Sequence, residues 1–124
     1  MHKLMIVDDS NIMRNRIERS FKEDNIEIVA TAGDGVEALK EFDLHQPDLI
    51  TMDLTMPHMD GLECIQKIIA KETGVSILVV SALSDKATAL KALKYGARGF
   101  LCKPFGEEEL VNALNKLIKY QLKR

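Results

Sequence analysis

The sequence predicts an α/β fold: one doubly wound, five-stranded parallel sheet covered on both faces by five helices. Three observations carry this. Five short apolar runs alternate with five stretches of helical periodicity, the pattern that crossover helices on a parallel sheet produce. The short runs are continuously apolar, as strands buried on both faces are. Capping and stop residues stand where the alternation needs its turns.

The first run, Leu4–Val7, reads as a strand. Ser10 can cap the helix that follows, in which Met13, Ile17 and Phe21 step by four. A second strand spans Ile26–Ala30. Asp34-Gly35 is a turn dipeptide opening the second helix, whose predicted face is Val36, Leu39 and Phe42. The third strand is Leu49–Met52, and Asp60-Gly61 opens a third helix with Leu62, Ile65, Ile68 and Ile69 on one face. The fourth strand is Ile77–Val80. The fourth helix presents Leu90, Leu93 and the stem of Lys94. Gly74 and Gly96 sit where helices should stop. After the fifth strand, Phe100–Cys102, three glutamates (Glu107, Glu108, Glu109) fill the first turn of the last helix, where the dipole favours negative charge. That helix carries the widest stripe: Leu110, Ala113, Leu114, Leu117 and Ile118. The basic stretch from Lys119 to Arg124 complements its C-terminal dipole. Right-handed crossovers leave few windings for such a chain. With no linker, repeat or low-complexity stretch, one domain over residues 1–124 is expected.

Composition excludes several classes. The chain has 124 residues, 46% of them hydrophobic and 29% charged, with a net charge of −2. That suits an ordinary globule with its own core. A scattered, slightly acidic charge set offers no footprint for nucleic acid. No apolar run nears the roughly 20 residues a membrane span needs. The early run stops at two aspartates and is no signal peptide. Cys64 and Cys102 stand alone in apolar segments, with no metal spacing to His2, His45 or His58. They read as buried small hydrophobes in a reducing, cytoplasmic setting.

The chemistry lies at the strand ends. The first strand ends in Asp8 and Asp9, the third in Asp53, the fourth in Ser81, and the fifth in Lys103 followed by Pro104. In an open α/β sheet, ligands bind outside the carboxyl ends of the strands, so these residues are expected to converge. Three carboxylates in one cleft repel, and a hard divalent cation removes the conflict. Mg²⁺ suits best, since it takes few carboxylates and often carries a phosphate oxygen. Lys103 adds a point charge suited to phosphate, and the Ser81 hydroxyl can donate to the same group. An ionised carboxylate beside them is a competent nucleophile.

Asp8-Asp9, the stretch Met52-Asp53-Leu54-Thr55-Met56-Pro57 with Asp60-Gly61, Ser81-Ala82 and Lys103-Pro104-Phe105 together resemble the motifs of bacterial two-component response-regulator receiver domains. The resemblance runs the length of the chain, and the nearest likeness is to stand-alone chemotaxis regulators of the CheY type. It implies a strand order of 2-1-3-4-5. It implies a phosphorylation-activated signalling switch rather than a turnover enzyme, with Asp53 accepting the phosphoryl group from a histidine kinase. Asp9 and Asp53 would hold Mg²⁺ through side chains, Thr55 through its backbone carbonyl, and Asp8 through water. Lys103 would pair with the phosphoryl group or with Asp53. Ser81 would move toward the phosphoryl group, and Phe100 would turn in response. A cis Lys103-Pro104 bond is expected. So is an output face on the fourth helix, fifth strand and fifth helix, around Lys91, Tyr95 and Phe100. Thr55 and Leu83 flank the site and are expected to tune dephosphorylation. The implied partners are the kinase and a downstream protein such as a flagellar motor, with the chain a cytoplasmic monomer. No organic cofactor is implied.

Three other readings compete. A flavin protein of the same topology would need a hydroxyl- and glycine-rich loop where this chain has Asp8-Asp9-Ser10-Asn11, and two carboxylates there would repel a flavin phosphate. An aspartyl-nucleophile phosphatase would carry a second Asp at the position of Thr55. A phosphorylation-independent interaction module would keep the fold and lose the site.

Overall fold

Residues 2–21, 26–82 and 86–122 are described in a computed structural model of the chain. The elements alternate throughout: β1 (His2–Val7), α1 (Asn11–Arg19), β2 (Ile26–Ala32), α2 (Gly35–His45), β3 (Leu49–Asp53), α3 (Gly61–Ile69), β4 (Ser76–Ala82), α4 (Lys86–Lys94), β5 (Gly99–Lys103) and α5 (Glu107–Leu122). All five strands pair in parallel, in the order β2-β1-β3-β4-β5. The register slips between Leu4 and Met5, so β2 carries one extra residue, Val29, against β1.

The two sheet faces bury separate clusters. Ile17 from α1 and Phe21 in the turn after it, with Leu110, Leu114, Leu117 and Ile118 from α5, pack on Leu4, Ile6, Leu49, Leu78 and Val80. Ala38 and Phe42 from α2, Cys64, Ile65 and Ile68 from α3, and Ala89 and Ala92 from α4 pack on the alternate strand residues Met5, Val7, Ile50, Met52, Ile77 and Val79. The period of two along each strand thus feeds both cores, which is why the strands read as unbroken apolar runs.

Capping follows the expected residues. Ser10 Oγ accepts from the Met13 N–H at 3.2 Å. Asp34 and Asp60 cap α2 and α3, accepting from the Glu37 and Glu63 N–H groups at 2.8 and 2.9 Å. Gly96 has φ +121° just after α4, a conformation glycine takes without strain. A Cβ there would also crowd Ile69 at 3.0 Å. Gly74 has φ +83° and sits several residues beyond α3 rather than at its stop.

Several expectations need correction. Val36 is 55% exposed, and the buried face of α2 is Gly35, Ala38 and Phe42. Leu90 is 52% exposed, and α4 packs through Ala89 and Ala92 instead. Helices lie close where their contact residues are small, so alanines take the core side and the leucine is left outside. β5 is an edge strand with every residue half-buried, Cys102 among them, so only Cys64 is a fully buried thiol. Of the basic C-terminal stretch, residues 123 and 124 lie outside the described residues. No helix among the described residues is long and apolar enough to cross a membrane.

Candidate functional site

The winding reverses at β1: the chain leaves it toward β2 on one side and returns as β3 on the other. Side chains that follow β1 and end β3 therefore meet at the carboxyl edge of the sheet, beside the switch in strand order. Asp8 and Asp9 come from the first, and Asp53 is the last residue of the second. One carboxylate oxygen from each lies within 4.8 Å of the others. Asp8 and Asp53 are buried, at 1% and 6% exposure, while Asp9 faces solvent.

Local geometry holds the acids in place. The Ser10 N–H donates to Asp8 Oδ1 at 2.9 Å. The guanidinium of Arg14 donates to the Asp8 carbonyl through Nη1 and to Asn11 Oδ1 through Nη2. The Thr55 N–H donates to Asp53 Oδ1 at 3.4 Å. The start of α3 lies against the end of β3, where the Gly61 N–H donates to the Leu54 carbonyl at 2.9 Å. A Cβ on Gly61 would lie 2.7 Å from Leu54 Cα and collide with the Asp53 carbonyl, so only glycine allows this approach.

Lys103, the last residue of β5, reaches across from the far edge of the sheet. Its Nζ lies 3.0 Å from Asp8 Oδ2 and 3.7 Å from Asp53 Oδ1. One ammonium does not balance three carboxylates. Burial, together with the charge of Asp8, pushes the Asp53 carboxyl up from 3.8 to about 6, with Lys103 pulling the other way. The Lys103-Pro104 peptide bond is cis, as expected.

Ser81 stands near the end of β4, one rung beyond the Asp53–Val80 pair. It is fully buried, and its Oγ has no hydrogen-bond partner among the described residues. A buried hydroxyl without a partner costs about 1–3 kcal/mol. Thr51 Oγ1, two residues before Asp53 on β3, is likewise buried without a partner among the described residues, and nothing in the sequence singled it out. Phe100 pairs with Val79 across the β4–β5 ladder and is only partly buried, with its ring against the core cluster of α2, α3 and α4. A cleft of about 650 Å³ opens beside it between β5 and α5, lined by Leu78, Arg98, Leu101, Lys116 and Tyr120. The Arg98 guanidinium stacks on Tyr120 there, 4.6 Å from the ring centroid. Leu83 lies outside the described residues.

Three further polar contacts border the site without a signal in the sequence. Arg14 grips the Asp8 backbone. Arg16 grips Phe105: its Nη2 donates to the Phe105 carbonyl at 2.5 Å. His58, at φ +67° in the loop after β3, places Nδ1 3.0 Å from Asp34 Oδ2. The Glu37 N–H and then His58 hold the Asp34 carboxyl below its usual range. The first two partners lie 6 and 89 residues away along the chain, and pattern reading has no means of pairing such residues.

An all-oxygen donor set of mutually repelling carboxylates, two of them buried, fits a hard divalent cation such as Mg²⁺. The family described as the response regulator receiver domain matches residues 4–115. The chemotaxis protein CheY of Listeria monocytogenes is 41% identical over 119 residues, covering 96% of this chain and all of the relative. Among solved structures, the REC domain of AraT, a response regulator from Geobacillus stearothermophilus, superposes with a TM-score of 0.89 at 32% identity. That match covers 98% of this chain and 95% of the other. A chain of the CheX–CheY–BeF₃–Mg²⁺ complex from Borrelia burgdorferi superposes with a TM-score of 0.88 at 28% identity, covering 94% and 89%.

Proposed function

The chain belongs to the response-regulator receiver family, and from that premise we propose that it is a chemotaxis-type signalling switch that accepts a phosphoryl group on Asp53. One observation carries the reading: Asp8, Asp9, Asp53 and Lys103 converge from three separate strand ends, beside a buried Ser81 hydroxyl that lacks a partner. Each group has the sign that phosphoryl transfer requires.

In the proposed reaction, an Asp53 carboxylate oxygen attacks the phosphorus of a phosphohistidine on a histidine kinase. The new P–O bond forms as the P–N bond breaks, and the electron pair returns to the imidazole nitrogen. Hydrolysis reverses the state: water attacks the acyl phosphate, inorganic phosphate leaves, and the Asp53 carboxylate is restored. Thr55 would flank the attacking water. Lys103 supplies a fixed positive charge to the transferred oxygens, and the Ser81 hydroxyl donates to one of them. Asp9, Asp53 and the Thr55 carbonyl would hold Mg²⁺, with Asp8 acting through water, and the ion would supply charge for the same oxygens. Asp8 has a second task, since its buried carboxylate orients the Lys103 ammonium at 3.0 Å.

The resting and phosphorylated states would differ at Ser81 and Phe100, and the output would be read on α4, β5 and α5. The kinase is one partner, and a downstream protein such as a flagellar motor is the other. The chain acts as a cytoplasmic monomeric module over residues 1–124 and turns over no external substrate. Incubation with acetyl phosphate and Mg²⁺ tests the reading. An acid-stable, alkali-labile phosphoryl group is expected, mapped to Asp53 and absent from Asp53→Asn. Label that persists in that variant places the acceptor elsewhere.

A further inference from the structure

Among the described residues Lys103 is the one cation in ion-pair contact with the acidic cluster. Its ammonium rides on a flexible four-carbon stem, so its placement depends on the backbone that carries it. That backbone leaves β5, an edge strand that is half-buried throughout, and runs through Pro104 to Phe105. Strand pairing on one side alone does little to fix such a loop.

Arg16 grips this loop from the opposite element. Its Nη2 donates to the Phe105 carbonyl at 2.5 Å, and its guanidinium carbon lies 5.2 Å from the centroid of the Phe105 ring. The ring is buried in the cluster with Ile17 and Leu110, so it offers a rigid plate for the cation to rest on. One side chain therefore holds the same residue through its carbonyl and through its ring. Arg14, two positions earlier, holds the Asp8 carbonyl. The first two turns of α1 thus tie down both halves of the site: the acidic loop through one arginine and the lysine loop through the other.

We propose that Arg16 is a positioning residue for Lys103. By fixing Phe105 it fixes the backbone two residues upstream, and so keeps the ammonium between Asp8 and Asp53, where phosphoryl oxygens would lie. Arg16 touches no reacting atom and acts only through Lys103. The inference rests on the phosphoryl-accepting reading above. A basic residue near the end of α1 also complements the helix dipole, and Arg19 shares that position, so Arg19 serves as the control.

The test titrates the whole chain with beryllofluoride at fixed Mg²⁺ and follows the backbone amide shifts of Ala82 and Lys103. Binding by the unsubstituted protein tests the phosphoryl reading itself, and differences between variants test the inference. Arg16→Ala is expected to bind about fivefold to tenfold more weakly, the scale of one partly lost charge-assisted hydrogen bond. Arg16→Lys, which keeps a donor and a cation over the ring, is expected to stay within about twofold, and Arg19→Ala to bind like the parent. In a Lys103→Ala background, Arg16→Ala is expected to add no further loss, because the residue it positions is gone. Unchanged affinity in Arg16→Ala overturns the inference, as does an equal further loss in the Lys103→Ala background. A crystal structure of unliganded Arg16→Ala gives an answer even if beryllofluoride does not bind. Displacement of the Lys103 ammonium from Asp8 is expected, and a bridge retained at its present 3.0 Å overturns the proposal.

Discussion

At the scale of single residues, Asp53 concentrates the cost and the use of the site. Folding moves its carboxyl from 3.8 to about 6, because burial and Asp8 both disfavour its charge. Between those two values the folded chain binds more protons than the unfolded chain. Its contribution to stability is therefore fully present below about pH 4 and is lost as pH rises through about 6. Two units correspond to about 3 kcal/mol at most. Without Mg²⁺, the parent is expected to lose stability from pH 5 to pH 7.5 relative to Asp53→Asn, which carries no charge there. Urea midpoints of both proteins at the two pH values check this, and parallel curves would contradict it. The acids and Lys103 were legible in the sequence because each breaks an apolar run at its end. Arg14, Arg16 and Thr51 were not, since a hydrogen bond across 89 residues, or a hydroxyl without a partner, leaves no local pattern.

At the scale of elements, the junction of β3 and α3 sets where Asp53 stands. The Gly61 N–H bonds the Leu54 carbonyl, and Asp60 caps the helix that follows. Because a Cβ on Gly61 would press on the backbone of Asp53 and Leu54, Gly61→Ala is expected to cost about 2–3 kcal/mol. Denaturant unfolding measures that loss, and slower labelling by acetyl phosphate is expected with it, since the carbonyl of Asp53, the proposed acceptor, must shift. A loss below about 0.5 kcal/mol, the range of ordinary surface changes, would mean that the junction gives way easily. The helices also show how periodicity reading fails. Alternation and caps located α2 and α4 correctly, but Val36 and Leu90 lie outside while alanines, with Phe42 in α2, face the sheet. Hydrophobicity alone ranks leucine above alanine for burial. Close packing ranks them by the room between helix and strand.

At the scale of the whole molecule, the site couples stability to its ligand. The acidic cluster exists only when β1 and β3 are paired, so Mg²⁺ should bind the folded chain alone. At ten times its dissociation constant it is expected to add about 1.4 kcal/mol. Thermal unfolding in EDTA and in graded Mg²⁺ reads this directly, and an unmoved midpoint would count against a metal site. Phosphorylation would bias a second equilibrium. Moving a mixture from 1:99 to 99:1 takes about 5.5 kcal/mol, while new contacts to Ser81 and Lys103 offer roughly 3–6 kcal/mol. Some active form is therefore expected before phosphorylation and some inactive form after it. Structures with and without beryllofluoride and Mg²⁺ are expected to differ at Ser81 and in the Phe100 rotamer. Identical positions in both would break the proposed coupling. The sequence by itself determined the order of strands and helices, the caps, and the polar residues at the strand ends, because each is written in neighbours a few residues apart. Tertiary structure alone decided how near those polar ends come, which helix faces are buried, that β5 is a half-buried edge, and which arginines brace the site. Those outcomes depend on the summed packing of segments far apart in the chain, and no local stretch of sequence contains that sum.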